Sequence, residues 1–134
     1  MKPGWKASLI QDRPLPVLVH MYRRRAGEYR AMLRQGVTGQ ARLRAIDDLG
    51  CVYLCLDRYR HATPLALALD VENQAWMGMD EAGDDPARQA RLRNLLTNIN
   101  DQVRRFLAVD WADLTDGRRE ELMALVRTMR ELAE

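Results

Sequence analysis

The stretch that decides the fold runs from Ala45 to Tyr59 and reads Ala-Ile-Asp-Asp-Leu-Gly-Cys-Val-Tyr-Leu-Cys-Leu-Asp-Arg-Tyr. Its first half carries apolar residues at helical spacing. Its middle, Leu49 to Leu56, has no charged residue on any face. A helix that is apolar all round belongs inside a core. The sequence therefore predicts a buried central helix over residues 40–60, with the other segments laid against it. Ala45, Leu49, Val52, Leu56 and Tyr59 form one seam. Leu43, Ile46, Gly50 and Tyr53 form a second seam beside it, and Cys51, Leu54 and Cys55 fill the third side. Thr38 and Gly39 open this helix, and it should end near His61.

Upstream, Pro14 and Pro16 suit the first turn of a helix. Val19, Tyr22, Ala26, Tyr29 and Leu33 recur at spacings of 3, 4, 3 and 4, one stripe of a helix that Gly36 ends. Residues 1–13 read as an N-terminal arm, in which Trp5, Leu9 and Ile10 are apolar enough to dock on something. Residues 14–134 read as a single helical domain.

Downstream, Thr63-Pro64 looks like an N-cap followed by a first-turn proline. The signal then divides. Leu65, Leu67, Leu69 and Val71 alternate with period two, as in a strand. The residues between them, Ala66, Ala68 and Asp70, are poor in strands. The reading is a helix from Pro64 to about Met79; the alternative is a hairpin over 64–79 turning at Glu72-Asn73, which would make the fold α+β. Asp80 to Asp85 reads as a loop, and Asp85 as the cap of a helix in which Leu92, Leu96, Ile99, Val103 and Phe106 repeat at 4, 3, 4 and 3. Thr115 caps a last helix, with Leu122, Leu125, Met129 and Leu132 as its seam. These two seams are spaced to pair with each other as bundle neighbours. The fold class expected is all-α, about five helices in a compact bundle around a buried central helix.

A chain of 134 residues, 47% apolar and 30% charged, suits one globular domain. The net charge is +2, too small for a strong non-specific pull toward nucleic acid. Removing Lys2 and Lys6 from the 21 basic residues leaves 19 arginines. That bias suits a GC-rich bacterial genome, or arginine forks kept for carboxylate or phosphate contacts. Two cysteines and no apolar leader suggest a reducing, cytoplasmic compartment, and no apolar run is long enough to span a membrane.

No motif argues for catalysis. Ser8 is the only serine, and His20 and His61 are the only histidines. Cys51 and Cys55 stand four apart on one helical face, weak spacing for zinc, and read as core residues. The acidic loop lacks the alternating acids and closing Glu of a calcium site. No metal or cofactor is expected.

Two features suit partner binding. Arg23, Arg30 and Arg34 line a face of the first helix, with Arg24 and Arg25 beside it; Arg23, Arg24, Arg30 and Arg34 are the candidate contacts, and Arg23 and Arg30 are expected in solvent. Trp76, Met77 and Met79 stand near a helix end, and Trp and Met are favoured at contact surfaces. With Trp5 and Trp111 they are the candidate apolar contact points. The expectation is a small regulatory or adaptor protein that binds another protein, and a homodimer with Trp5, Leu9, Ile10 and Trp76 in its interface. A DNA-binding regulator using the arginine face is the second reading. An enzyme or ligand binder without a recognisable motif is the third.

Overall fold

The computed structural model describes residues 13–134, so Trp5, Leu9 and Ile10 lie outside the described residues. Among these residues five α-helices follow in order: α1 (Leu15–Arg34), α2 (Gln40–Arg58), α3 (Thr63–Ala82), α4 (Pro86–Leu107) and α5 (Asp116–Ala133). A short 3-10 turn, Tyr59–His61, joins α2 to α3. The fold is an all-α bundle, with no strand among the described residues.

The central helix is α3, not α2. It packs heavily against α4 and α5, and also against α2 and α1, while α1 and α2 pair with each other. Twelve residues of α3 are buried, against four in α2: Cys51, Val52, Cys55 and Leu56. Within the uncharged run expected to be fully buried, Gly50 is exposed, and Leu49, Tyr53 and Leu54 are only partly covered. Leu43 and Ile46, in the N-terminal half of α2, are 56% and 43% exposed. That half alternates with Arg42, Arg44, Asp47 and Asp48, charges that stay wet unless paired.

The hairpin alternative fails because the alternation in α3 is of size, not of polarity. Leu65, Leu67, Leu69 and Val71 are buried, and so are Ala66 and Ala68 between them. A helix covered on every side shows no polar face, so large-small alternation imitates a strand. Glu72-Asn73, the supposed turn, sits mid-helix. At Gly78 a Cβ would stand 3.1 Å from Leu92 Cδ1, so the missing side chain lets α4 approach closely.

The helix boundaries follow local chemistry. Asp85 and Thr115 accept from the backbone N–H of Arg88 and Arg118, each at 3.1 Å, and cap α4 and α5 as their sequence contexts indicate. Thr63 is already helical and caps nothing; Ala62 holds the N-cap position of α3. The expected acidic loop is shorter, because α3 continues through Asp80 and Glu81 to Ala82.

In α4 the whole predicted seam is buried. In α5 the seam is rotated: Leu122, Val126 and Ala133 are buried, whereas Leu125 and Leu132 are 41% and 51% exposed. This helix packs chiefly on α3 and only lightly on α4, which turns its inner face away from the predicted line. Trp111, taken for a contact point, is 1% exposed. It donates from Nε1 to the Phe106 carbonyl at 3.0 Å and meets the Phe106 ring edge-on at 5.4 Å. Arg119 ties the same linker to α5, donating to the Trp111 carbonyl at 2.7 Å.

Candidate binding surface at the ends of α1 and α3

Helix α3 carries polar residues into the core, and α1 supplies their partners. Arg23 makes a two-pronged bond to Glu72, Nε to Oε1 and Nη2 to Oε2, each at 2.9 Å. Its Nη2 also donates to Asn100 Oδ1 of α4 at 3.3 Å. Arg30 Nη1 donates to Asn73 Oδ1 at 2.6 Å, and Arg34 Nη1 to Asp80 Oδ2 at 3.0 Å. Moving toward the C-terminus of α1 therefore moves toward the C-terminus of α3, and the two helices run parallel.

This corrects the solvated arginine face. The Glu72 side chain is only 11% exposed, and a buried carboxylate without a cation would be strongly unfavourable. Arg23 and Arg30 are part of the bundle's internal wiring. Arg24 and Arg25 remain outward: Arg24 pairs with Glu28, and Arg25 lies near both Glu28 and Asp48. Glu72 and Asn73 were the residues that sequence reasoning missed. The available signal was a pair of polar residues inside the most apolar segment, opposite a helix rich in arginine.

A second polar knot lies nearer the start of α3. Tyr22 donates its hydroxyl to Asp70, and Gln74 Nε2 donates to Asp70 Oδ2 at 3.1 Å. Burial raises the Asp70 carboxyl above its usual range, while nearby Arg130 and the Tyr22 hydrogen bond pull it back. Burial also pushes the Tyr22 phenol up, so it stays protonated and serves as a donor. The Tyr53 ring of α2 lies 6.3 Å from that of Tyr22 and closes the knot.

At the C-terminal ends of α1 and α3 the wiring opens to the surface. Arg30, Leu33, Arg34, Met77, Asp80 and Glu81 line a cleft of about 190 Å³. Trp76, beside it, is 44% exposed, with the Arg30 guanidinium 5.9 Å from its ring centroid. Burial lowers the Arg30 pKa, with Asp80 opposing that shift. Met77 also lines a second groove of about 330 Å³, with Gly78, Arg88 and Ala133 among its neighbours. Of the predicted contact residues, the structure thus brings Arg30, Arg34, Trp76 and Met77 together. Met79 instead packs against the core.

Cys51 and Cys55 are buried, and burial raises the Cys55 thiol pKa. Among the described residues, no group of three or more His, Cys, Asp or Glu is placed to hold a metal ion. Nor is any described helix long and apolar enough to cross a membrane. Comparison with known proteins finds no match: no family profile, no curated protein and no solved structure.

Proposed function

We propose that this chain is a small regulatory or adaptor protein that acts by binding another protein, and that the contact is made at the C-terminal ends of α1 and α3. The observation that carries this reading is Trp76, 44% exposed on the helix that otherwise buries most. A half-exposed indole that the described helices do not cover suits the anchor of a contact. Arg30 braces the ring, and Met77 adapts its shape to what docks beside it. The cleft offers Leu33 and Met77 as a floor, with Arg34, Asp80 and Glu81 at the rim. A segment with one apolar anchor between polar residues of mixed charge fits that arrangement. The competing DNA-binding reading needs arginines that are already engaged by Glu72, Asn73 and Asp80. Self-association into a homodimer and residence in the reducing cytoplasm belong to the same proposal.

The test is affinity capture from the source organism with wild type and Trp76→Ala, followed by binding measurements on the captured protein at two salt concentrations. One protein should bind wild type with little salt dependence, and Trp76→Ala should weaken it by about thirtyfold, the cost of losing an anchor worth roughly 2 kcal/mol. Capture of nucleic acid instead, with affinity falling steeply as salt rises, would overturn the reading.

A further inference from the structure

We infer that the solvent face of α4 binds double-stranded DNA through its phosphate backbone. The whole-chain charge of +2 conceals a strong asymmetry. Helix α4 holds five arginines against one acid, Asp101, a net charge of +4, so the rest of the chain is left with −2. Arg88 is paired with Glu81. Arg91, Arg93, Arg104 and Arg105 are all exposed, and none of them forms a salt bridge among the described residues. The arginines of α1 differ in this: Arg23, Arg24 and Arg34 are held by Glu72, Glu28 and Asp80. Four guanidinium groups on one helix with no carboxylate beside them make a field that attracts a polyanion.

The surroundings of these arginines select which polyanion. Asn94, Thr97, Asn98 and Asp101 are exposed between the two arginine pairs. None of the large apolar residues most exposed among those described lies on α4. A protein partner finds no apolar anchor on such a face, and a membrane finds no side chain to insert. Contact with a phosphate backbone is polar and electrostatic throughout and needs neither. Arg91 and Arg93 stand about 16–21 Å along the helix axis from Arg104 and Arg105. The major groove of B-DNA is about 12 Å wide and admits an α-helix. Laid on that groove with its polar centre inward, α4 sets one arginine pair on each flanking backbone. Asn94, Asn98 and Asp101 then face base edges, so the one acid of the face meets no phosphate. Double-stranded RNA offers no such seat, because its major groove is deep and narrow.

This surface shares no residue with the one built around Trp76, so the two readings stand or fall separately. Fluorescence anisotropy tests it, with the full chain titrated into a labelled random-sequence DNA duplex at several salt concentrations. Four phosphate contacts give a slope of log affinity against log salt of about −3.6, a loss on the order of a hundredfold between about 50 and 200 mM salt. Arg91→Ala with Arg93→Ala, and separately Arg104→Ala with Arg105→Ala, should each reduce that slope by about half. Arg44→Ala with Arg127→Ala removes the same charge from exposed positions on α2 and α5 and should leave the slope unchanged. Circular dichroism should show the same helicity in every variant, since alanine is the stronger helix former. No binding at the lowest salt overturns the inference. So does a slope that changes in neither α4 variant, or one that falls equally in the α2 and α5 variant. An RNA duplex bound as tightly as DNA excludes the groove, and polyglutamate bound as tightly makes the partner an acidic protein; either result overturns the assignment to DNA.

Discussion

Helices α2 and α3 are almost equal in length, 19 and 20 residues, yet the bundle treats them oppositely. Helix α3 touches each of the other four and tolerates Glu72 and Asn73 in its buried set. Helix α2 pairs mainly with α1, and its N-terminal half keeps two large apolar side chains in water. The difference shows that the number of neighbours, rather than local hydrophobicity, decides which helix is central. A polar group is acceptable inside when a partner reaches it, as Arg23 reaches Glu72. An apolar group stays outside when none of the described helices reaches it.

The largest effects should come from the interior of α3. Leu69 is completely buried, so Leu69→Ala should destabilise by about 3–5 kcal/mol in denaturant titrations. Leu54 of α2 is only partly covered, and Leu54→Ala should cost roughly 1–2 kcal/mol. Equal losses at the two sites would erase the contrast between the helices.

The polar ties rank next. Arg23→Glu sets a second carboxylate against one that is nearly buried, so about 2–4 kcal/mol should be lost. Arg24→Glu, on the outward side of α1, should change stability by less than about 0.5 kcal/mol. If thermal melting finds Arg23→Glu as mild as Arg24→Glu, α1 does not brace α3 through these bonds.

Asp70 sharpens the same point through pH. Its carboxyl titrates higher in the folded state than in the unfolded chain, mainly because of burial. The folded protein therefore keeps this proton at pH values where the unfolded chain has lost it. Its contribution to stability is fully present below the unfolded value of about 3.9, and declines as pH rises through the folded value. Asp70→Asn should flatten that part of the stability profile. Tyr22→Phe removes a hydrogen bond that favours the charged form, so the decline should extend to higher pH. Denaturation midpoints measured from about pH 3 to about pH 8 decide this; a Tyr22→Phe profile parallel to wild type would exclude the hydroxyl from the knot.

The smallest effect belongs to the open face of α2. Leu43→Ala should leave the stability of the isolated subunit within about 0.5 kcal/mol, because the side chain is already 56% exposed. A loss of several kcal/mol in dilute protein would mean that the subunit itself covers this residue.

Much of the bundle follows from local chemistry. In α1 the first three residues of the predicted stripe, Val19, Tyr22 and Ala26, are buried, while Tyr29 and Leu33 toward its end are only partly covered; the complete seam of α4 is buried as its spacing requires, and Asp85 and Thr115 cap the helices that they precede. These features depend on residues within a turn or two of each other, so sequence alone determines them. Three others were decided by the tertiary structure: α3 at the centre, the rotated face of α5, and arginines turned inward onto Glu72 and Asn73. An apolar run registers that a segment wants burial, not whether neighbours will surround it. The arginine face has the same ambiguity: Arg23 and Glu72 lie 49 positions apart, and only packing α1 parallel to α3 makes one the partner of the other. The exposed Trp76 and the open line of Leu43, Ile46 and Gly50 likewise became visible only once the five helices had used up one another's faces.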